Sequence, residues 1–230
     1  WSTTGGAPLG AEELAGLKRN LGFDPEKFFD VPGDVYDWFE DRGAACHRMN
    51  LRWKKALRDW TAAHADLAAA RDAAQHGYLP QKLEAKLPVF DPSKPLATRT
   101  ACGAVMCALA AEVPFLVGGS ADLEPSNKTN LKPFGWNSAT DFSGRNFHWG
   151  IRELGMSAIV NGLVAHGGYR AFGATFAVFS DYCKPAMRLA ALMGLPSMWV
   201  FSHDSFYVGE DGPTHKPAAQ IECGGVWRAW

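Results

Sequence analysis

The chain lacks long apolar runs, a surplus of charge of either sign, paired-cysteine motifs and low-complexity or repeated tracts. Each absence removes a class of protein. Without about 20 consecutive apolar residues there is no signal for a membrane-crossing helix. A net charge of −1, with acidic and basic residues interspersed, leaves no broad electrostatic footprint for nucleic acid or a strongly acidic partner. It still leaves room for a local anion site, because one Arg and a helix N-terminus suffice for a phosphate. Cys46, Cys102, Cys107, Cys183 and Cys223 are odd in number and show no CxxC spacing. They read as reduced thiols in a reducing compartment. Residues 1–4, Trp-Ser-Thr-Thr, have the character of neither a signal nor a transit peptide. The expected setting is therefore soluble and cytoplasmic, with a plastid as the alternative.

What is present suits one full α/β domain plus an appendage. The 9 Trp and 14 Phe are ample for a core. Residues 11–21 carry Leu14, Leu17 and Leu21 at helical spacing and end at Gly22. Asp24-Pro25-Glu26 predicts a helix start, with Asp as N-cap and Pro at the first position. Residues 44–75 predict one long helix packed along a body, with Trp53, Leu57, Trp60 and Leu67 on its apolar side. Residues 77–95, with four prolines, read as a linker. Beyond it the texture alternates. Helical patterns at 96–111, 151–166 and 175–193 are interleaved with short apolar strands at 113–117, 169–172 and 197–202. That alternation predicts an α/β fold with a parallel sheet flanked by helices. The chemistry of such a sheet lies in the loops at the carboxyl ends of its strands.

Three segments fall at those ends: GGSADLEPSN (118–127), FHWGIRELGMSAIVNGLVAHGGYRAFGAT (147–175) and HDSFYVGEDGPTH (203–215). In the first, the two glycines let backbone approach a ligand closely; alone it also reads as a plain turn capped by Ser120 or Asp122. In the second, Glu153 opens a helix. By itself such a Glu is a dipole-stabilising surface residue, but the surrounding aromatics and glycines suggest a pocket, where a carboxyl can share a proton with a nitrogen base. His148 and Arg152 flank it as structural support. Phe176, Phe179 and Tyr182 recur every three residues and predict one face of a helix start, which by default is core packing. The third segment packs two histidines, three acids and two glycines into 13 residues. A metal site with His203, Asp211 and His215 as ligands is one reading, and a metal hydrolase would follow from it. The i, i+4 His spacing of a helical zinc site is missing, so a polar sugar-binding loop fits better.

Together the three segments resemble the pyrimidine-binding domain of transketolase, a thiamine-diphosphate enzyme. The resemblance runs over residues 6–220. APLG (7–10) and LGFDPEKFF (21–29) resemble the end of the diphosphate-binding domain. They favour transketolase over deoxyxylulose-phosphate synthase, with dihydroxyacetone synthase as a nearer alternative. The implied fold is the thiamine-diphosphate-binding fold. Residues 1–85 would be the mostly helical end of the diphosphate-binding domain and linker, and residues 86–230 a pyrimidine-binding domain truncated at its C-terminal end.

The resemblance implies roles as well. Glu153 would hydrogen-bond the aminopyrimidine ring nitrogen and favour its imino tautomer, which generates the ylide that attacks a ketose carbonyl. Phe176, Phe179 and Tyr182 would enclose the aminopyrimidine, with Asp122 in the cofactor's surroundings. Arg99 and Ser126 would take the sugar phosphate, and His203, Asp211 and His215 the donor sugar and its phosphate. His203 and His215 are further implied as catalytic, shuttling protons. The implied reaction is transfer of a two-carbon ketol unit from a ketose phosphate to an aldose phosphate in the pentose phosphate pathway.

The departures are specific. Gly5 stands where the family has a His, residues 1–4 look unrelated, and the sequence leaves the pattern after Gln220. The Gly-Asp-Gly/Asn motif for magnesium or calcium and diphosphate is absent, so metal ligands are expected outside this chain. Later pyrimidine-domain strands, another phosphate-binding Arg and the C-terminal domain are also absent. The expectation is a fragment of a homodimeric enzyme whose site forms between two subunits. The alternative is a noncatalytic chain that dimerises with, or competes against, an intact relative.

Overall fold

The computed structural model describes residues 8–205, 207–217 and 220. Gly5, Gly6, Ala7, Phe206, Cys223 and the divergent segments 1–4 and 222–230 lie outside the described residues. The chain forms two compact units, Trp1–Ala63 and His64–Trp230. No described helix is long and apolar enough to cross a membrane.

The first unit holds α1 (Ala11–Asn20) and α2 (Gly33–Ala63). Between them Asp24-Pro25-Glu26 does not start a helix, contrary to the sequence expectation. The Asp24 carboxylate accepts the Glu26 backbone N–H at 3.0 Å, which closes a local turn instead. The Lys18 ammonium ties that turn back to α1. It donates to Lys27 O at 2.6 Å and Pro25 O at 3.3 Å, and lies 3.8 Å from the Phe28 ring centroid. A helix through residues 24–28 would use those carbonyls internally, so the tethered loop wins.

The second unit opens with α3 (Ala65–His76). The single long helix predicted over residues 44–75 is therefore interrupted. His64 adopts φ −137° and ψ 62°, outside helical space, and becomes the residue preceding α3. After a turn of 3-10 helix at Leu83–Lys86, the chain runs through α4 (Thr98–Glu112), β1 (Leu116–Ser120), α5 (Glu124–Asn127) and β2 (Asn146–His148). It continues through α6 (Glu153–His166), β3 (Arg170–Phe176), α7 (Ser180–Met193) and β4 (Met198–Ser202). The four strands form one all-parallel sheet in the order β2-β1-β3-β4.

Both faces of the sheet are covered, as parallel pairing requires. Val117 and Ala171, with Trp199, pack against Met156, Val160 and Val164 of α6 and Cys183 of α7. Leu116 and Phe172, with Val200, pack against Met106 and Ala110 of α4 and Ala73 and Ala74 of α3. Side chains alternate across the strands, so neighbouring residues feed opposite cores.

Two expectations are corrected here. Gly118 and Gly119 lie inside β1, and a Cβ on either would run into Phe172 of β3 or the Phe147 carbonyl of β2. The close approach they permit is strand to strand, not backbone to ligand. Thr175 and Phe176 belong to β3 rather than to a helix. They extend the ladder opposite Phe201 and Ser202, and helix resumes only after a 3-10 turn at Ala177–Phe179.

Candidate functional site at the carboxyl ends of the strands

The strand ends converge at Ser120, His148, Phe176 and Ser202, and the predicted site residues gather around them. Glu153 is the first residue of α6 and is 8% exposed. The Thr175 hydroxyl donates to its Oε1 at 3.3 Å. No other hydrogen bond to the carboxylate occurs among the described residues. Arg152 does not pair with it: its Nη1 donates to Trp149 O at 3.3 Å. His148 stacks on Trp136 at 3.8 Å.

Glu153 lines a cavity of about 440 Å³ with Asp122, Ile151, Phe179, Tyr182 and His215. Phe179 and Tyr182 stack 6.1 Å apart, and the His215 ring meets Phe179 edge-on at 5.3 Å. Tyr182 is 61% exposed and Phe176 5%, so the aromatic row runs from core to surface. Asp122 is exposed and held at φ 61°, a left-handed conformation that Asp tolerates better than most residues.

A second cavity, of about 580 Å³, is lined by Arg99, His203 and Asp211 together with Asn127 and Ser202. Arg99 sits in the first turn of α4 and donates through Nη1 to Ser126 O at 3.2 Å and to His203 Nε2 at 3.0 Å. It makes no ion pair among the described residues. Ser126, in α5, is brought to this cluster through its carbonyl. His203 follows β4 at φ 55°, and its ring lies 3.8 Å from that of Phe176. Burial first, and then the Arg99 charge, pushes the His203 imidazole below its ordinary pKa. Asp211 and Asp204 pull the other way and His215 adds to the depression.

Asn127 and Ser202 carry no catalytic signature in the sequence and were not anticipated. Below His203 Nδ1 runs a chain of short polar contacts. Ser202 Oγ lies 2.9 Å from Nδ1, Asn127 Oδ1 2.6 Å from Ser202 Oγ, and Ser120 Oγ 2.7 Å from Asn127 Nδ2. Both Asn127 and Ser202 are buried. The one available clue was a polar residue closing a buried apolar strand. No group of three or more His, Cys, Asp or Glu among the described residues is arranged to hold a metal ion. Cys46, Cys102, Cys107 and Cys183 are free thiols, and burial pushes the Cys183 thiol up to about 11.

Fold and site define a class: a parallel α/β domain with a buried carboxylate and an aromatic wall at the ends of its strands, beside a polar pocket that holds Arg99 and His203. A family model described as transketolase, pyrimidine binding domain, matches residues 94–224. A second, described as transketolase, thiamine diphosphate binding domain, matches residues 2–80. The chain belongs to the transketolase family. It is 45% identical over 220 residues to a transketolase of Bacillus subtilis (strain 168), covering 94% of this chain and 32% of that relative. To a transketolase of Geobacillus stearothermophilus it is 47% identical, with 94% and 32% coverage. Among solved structures, transketolase from Leishmania mexicana superposes with a TM-score of 0.84 at 41% identity, covering 94% of this chain and 32% of that one. A Pichia stipitis transketolase complex with sedoheptulose-7-phosphate gives 0.83 at 36% identity, covering 97% and 34%. The chain thus spans about a third of the length of the curated relatives it matches.

Proposed function

We propose that this chain supplies the pyrimidine-binding half of a thiamine-diphosphate site that transfers a two-carbon ketol unit from a ketose phosphate to an aldose phosphate. The carrying observation is the cavity shared by Glu153, Phe179, Tyr182 and His215. A mostly buried carboxylate with one oxygen engaged by Thr175 and nothing described on the other suits a flat nitrogen heterocycle: the open oxygen would hold a ring nitrogen, and the aromatics would hold the ring. Thiamine diphosphate, when bound, supplies the nucleophilic carbon and the electron sink that ketol transfer needs.

The chain's own residues would do the rest. Glu153 would hold the proton shared with the ring nitrogen, and Thr175 would keep the carboxylate aimed. Phe176, Phe179 and Tyr182 would form the wall that excludes water from that proton, with Asp122 at its rim. Arg99, free of any described carboxylate, would give a sugar phosphate forked, charge-assisted hydrogen bonds, aided by Ser126 and the N-terminus of α4. His203, Asp211 and His215 would meet the sugar hydroxyls, with His203 and His215 moving protons.

Residues 1–85 would then be the end of the diphosphate-binding domain with its linker, and residues 86–230 the pyrimidine-binding part. Magnesium or calcium and the diphosphate would be held by residues beyond this chain, in a homodimer or with an intact transketolase subunit. The relative bound to sedoheptulose-7-phosphate supports sugar phosphates as the substrate class. The exposed aromatics Trp38 and Phe39 of α2 support a partner subunit, which keeps a second reading in view: a noncatalytic interaction module.

A chimera tests the proposal. The matching third of the Bacillus subtilis transketolase would be replaced by this chain and ketol transfer assayed. The proposal expects activity that is lost with Glu153→Ala; a folded, dimeric chimera without activity would favour the interaction module.

A further inference from the structure

The polar chain beneath His203 admits one arrangement of protons. Its deep end is fixed by groups that cannot change role. The Leu123 N–H can only donate and the Ala174 carbonyl can only accept. Ser120 Oγ therefore accepts from Leu123 at 3.2 Å and gives its own proton to Ala174 O at 3.1 Å. What Ser120 has left for Asn127 is a lone pair, so Asn127 presents its amide nitrogen there and turns its oxygen to Ser202. Ser202 must donate to that oxygen, leaving a lone pair for His203, so Nδ1 carries the hydrogen. The outer end gives the same answer independently. A guanidinium can only donate, so Nε2, 3.0 Å from Arg99 Nη1, is the acceptor.

We propose that Asn127, acting through Ser202, is a positioning residue that holds His203 as the Nδ1–H tautomer with its Nε2 lone pair turned toward Arg99 and the cavity. Asn127 is 1% exposed and its amide oxygen and nitrogen are engaged by Ser202 and Ser120, so its influence on the ring runs through the Ser202 hydroxyl. Every relay member is neutral, and each bond polarises the next. The consequence rests on reading the Arg99 cavity as the phosphate end of the site. Nδ1–H donates to Ser202 whether the imidazole is neutral or protonated, so the relay need not rearrange when an anion arrives. Only Nε2 changes partner: it accepts the Arg99 N–H in the neutral ring and, once the imidazole has taken a proton from solvent, offers that N–H to the anion. Such an arrangement is preorganised on the buried side and adaptable on the open side.

The test reads the tautomer directly. Protein labelled with ¹⁵N-histidine is examined by NMR well above the ordinary imidazole pKa, with His203 assigned by its loss in His203→Gln. An Arg99→Ala background removes the outer constraint, so the relay alone must hold the ring. There the His203 signals should remain those of Nδ1–H, and should stay so with Ser202→Thr, which keeps the hydroxyl. Adding Asn127→Ala or Ser202→Ala should release the ring toward the Nε2–H form that free imidazole prefers. Either variant suffices if the other fails to fold. An Nε2–H signal in the Arg99→Ala protein, or an Nδ1–H signal that survives in either folded alanine variant, overturns the proposal. With Arg99 intact, inorganic phosphate is titrated separately. A loss of about tenfold in phosphate affinity in Asn127→Ala, the equivalent of one ordinary hydrogen bond, is the expected companion result. A failure of phosphate to bind the unsubstituted chain counts against the anion reading, while the tautomer decides the relay.

Discussion

The Phe176 ring lies 3.8 Å from the His203 imidazole, tilted by 31°, and is stacked nearly parallel to Phe179 at 5.9 Å. Phe176 therefore joins two neighbourhoods, the Arg99–His203 cavity and the Glu153 cavity. The juncture follows from sheet register. Phe176 is the last residue of β3 and pairs with Ser202, the last of β4, which sets His203 one residue beyond, beside the ring.

Phe176→Ala should cost about 3–5 kcal/mol of unfolding free energy, the range for emptying a buried aromatic position. Phe176→Leu should cost less than half of that. Urea denaturation checks both, and equal losses for the two would contradict the packing role.

Asn146 is a structural staple rather than a site residue. Its Oδ1 accepts from Leu131 N at 2.8 Å, and its Nδ2 donates to Leu131 O at 3.1 Å and Gly135 O at 2.8 Å. Asn146→Ala strands the buried Leu131 N–H, worth about 1–3 kcal/mol when unsatisfied, and removes two further bonds to the Leu131 and Gly135 carbonyls, which keep backbone donors from Phe134 and from residue 146. We expect a loss of at least about 2 kcal/mol in chemical denaturation. A change within about 0.5 kcal/mol would refute the assignment.

Two glycines should respond with opposite signs. In β1, Gly119→Ala drives a methyl into the Phe147 carbonyl and should destabilise strongly. In the exposed interior of α6, Gly162 has nothing within 4 Å of an added Cβ. Gly162→Ala should stabilise by about 0.5–1 kcal/mol. Thermal melts of the pair read both directions, and a stabilised Gly119→Ala would contradict the strand packing.

His203 gives a pH dependence with a definite sign. Burial and Arg99 lower its folded pKa, with His215 adding and Asp211 and Asp204 opposing. Above the ordinary imidazole range the group is neutral in both folded and unfolded chains and contributes no slope. As pH falls through that range the unfolded chain takes up the proton first, so stability declines. His203→Gln should flatten this part of the stability profile in denaturation series on the acid side of neutrality. An unchanged slope would mean that His203 titrates as an ordinary surface imidazole.

Much of the framework was legible because buried parallel strands are short apolar runs. The segments containing β1, β3 and β4 stood out, and so did α1, α4 and α6. Other features were hidden for physical reasons. Asn146-Phe147-His148 is too short and too polar to read as a strand, yet β2 forms because β1 offers it an edge. Phe176 and Phe179 fit a helical spacing, but the β3–β4 ladder claims the first of them. The Ala-rich segment reads as one helix because nothing in residue type announces the break at His64. In the candidate site, Glu153, His203 and His215 were visible from residue type and setting, while Arg99 was singled out only through the family resemblance. Asn127 and Ser202 were not, since an Asn or Ser gains meaning only from its hydrogen-bond partners.

The most direct test of the Glu153 cavity is a titration of thiamine into the isotope-labelled chain, followed by NMR, with Glu153→Gln alongside. The account predicts saturable shifts at Glu153, Phe179, Tyr182 and His215, and affinity weakened about tenfold in the variant, as for loss of one good hydrogen bond. Shifts confined to other surfaces, or a Glu153→Gln variant that binds as tightly as the parent, would contradict it.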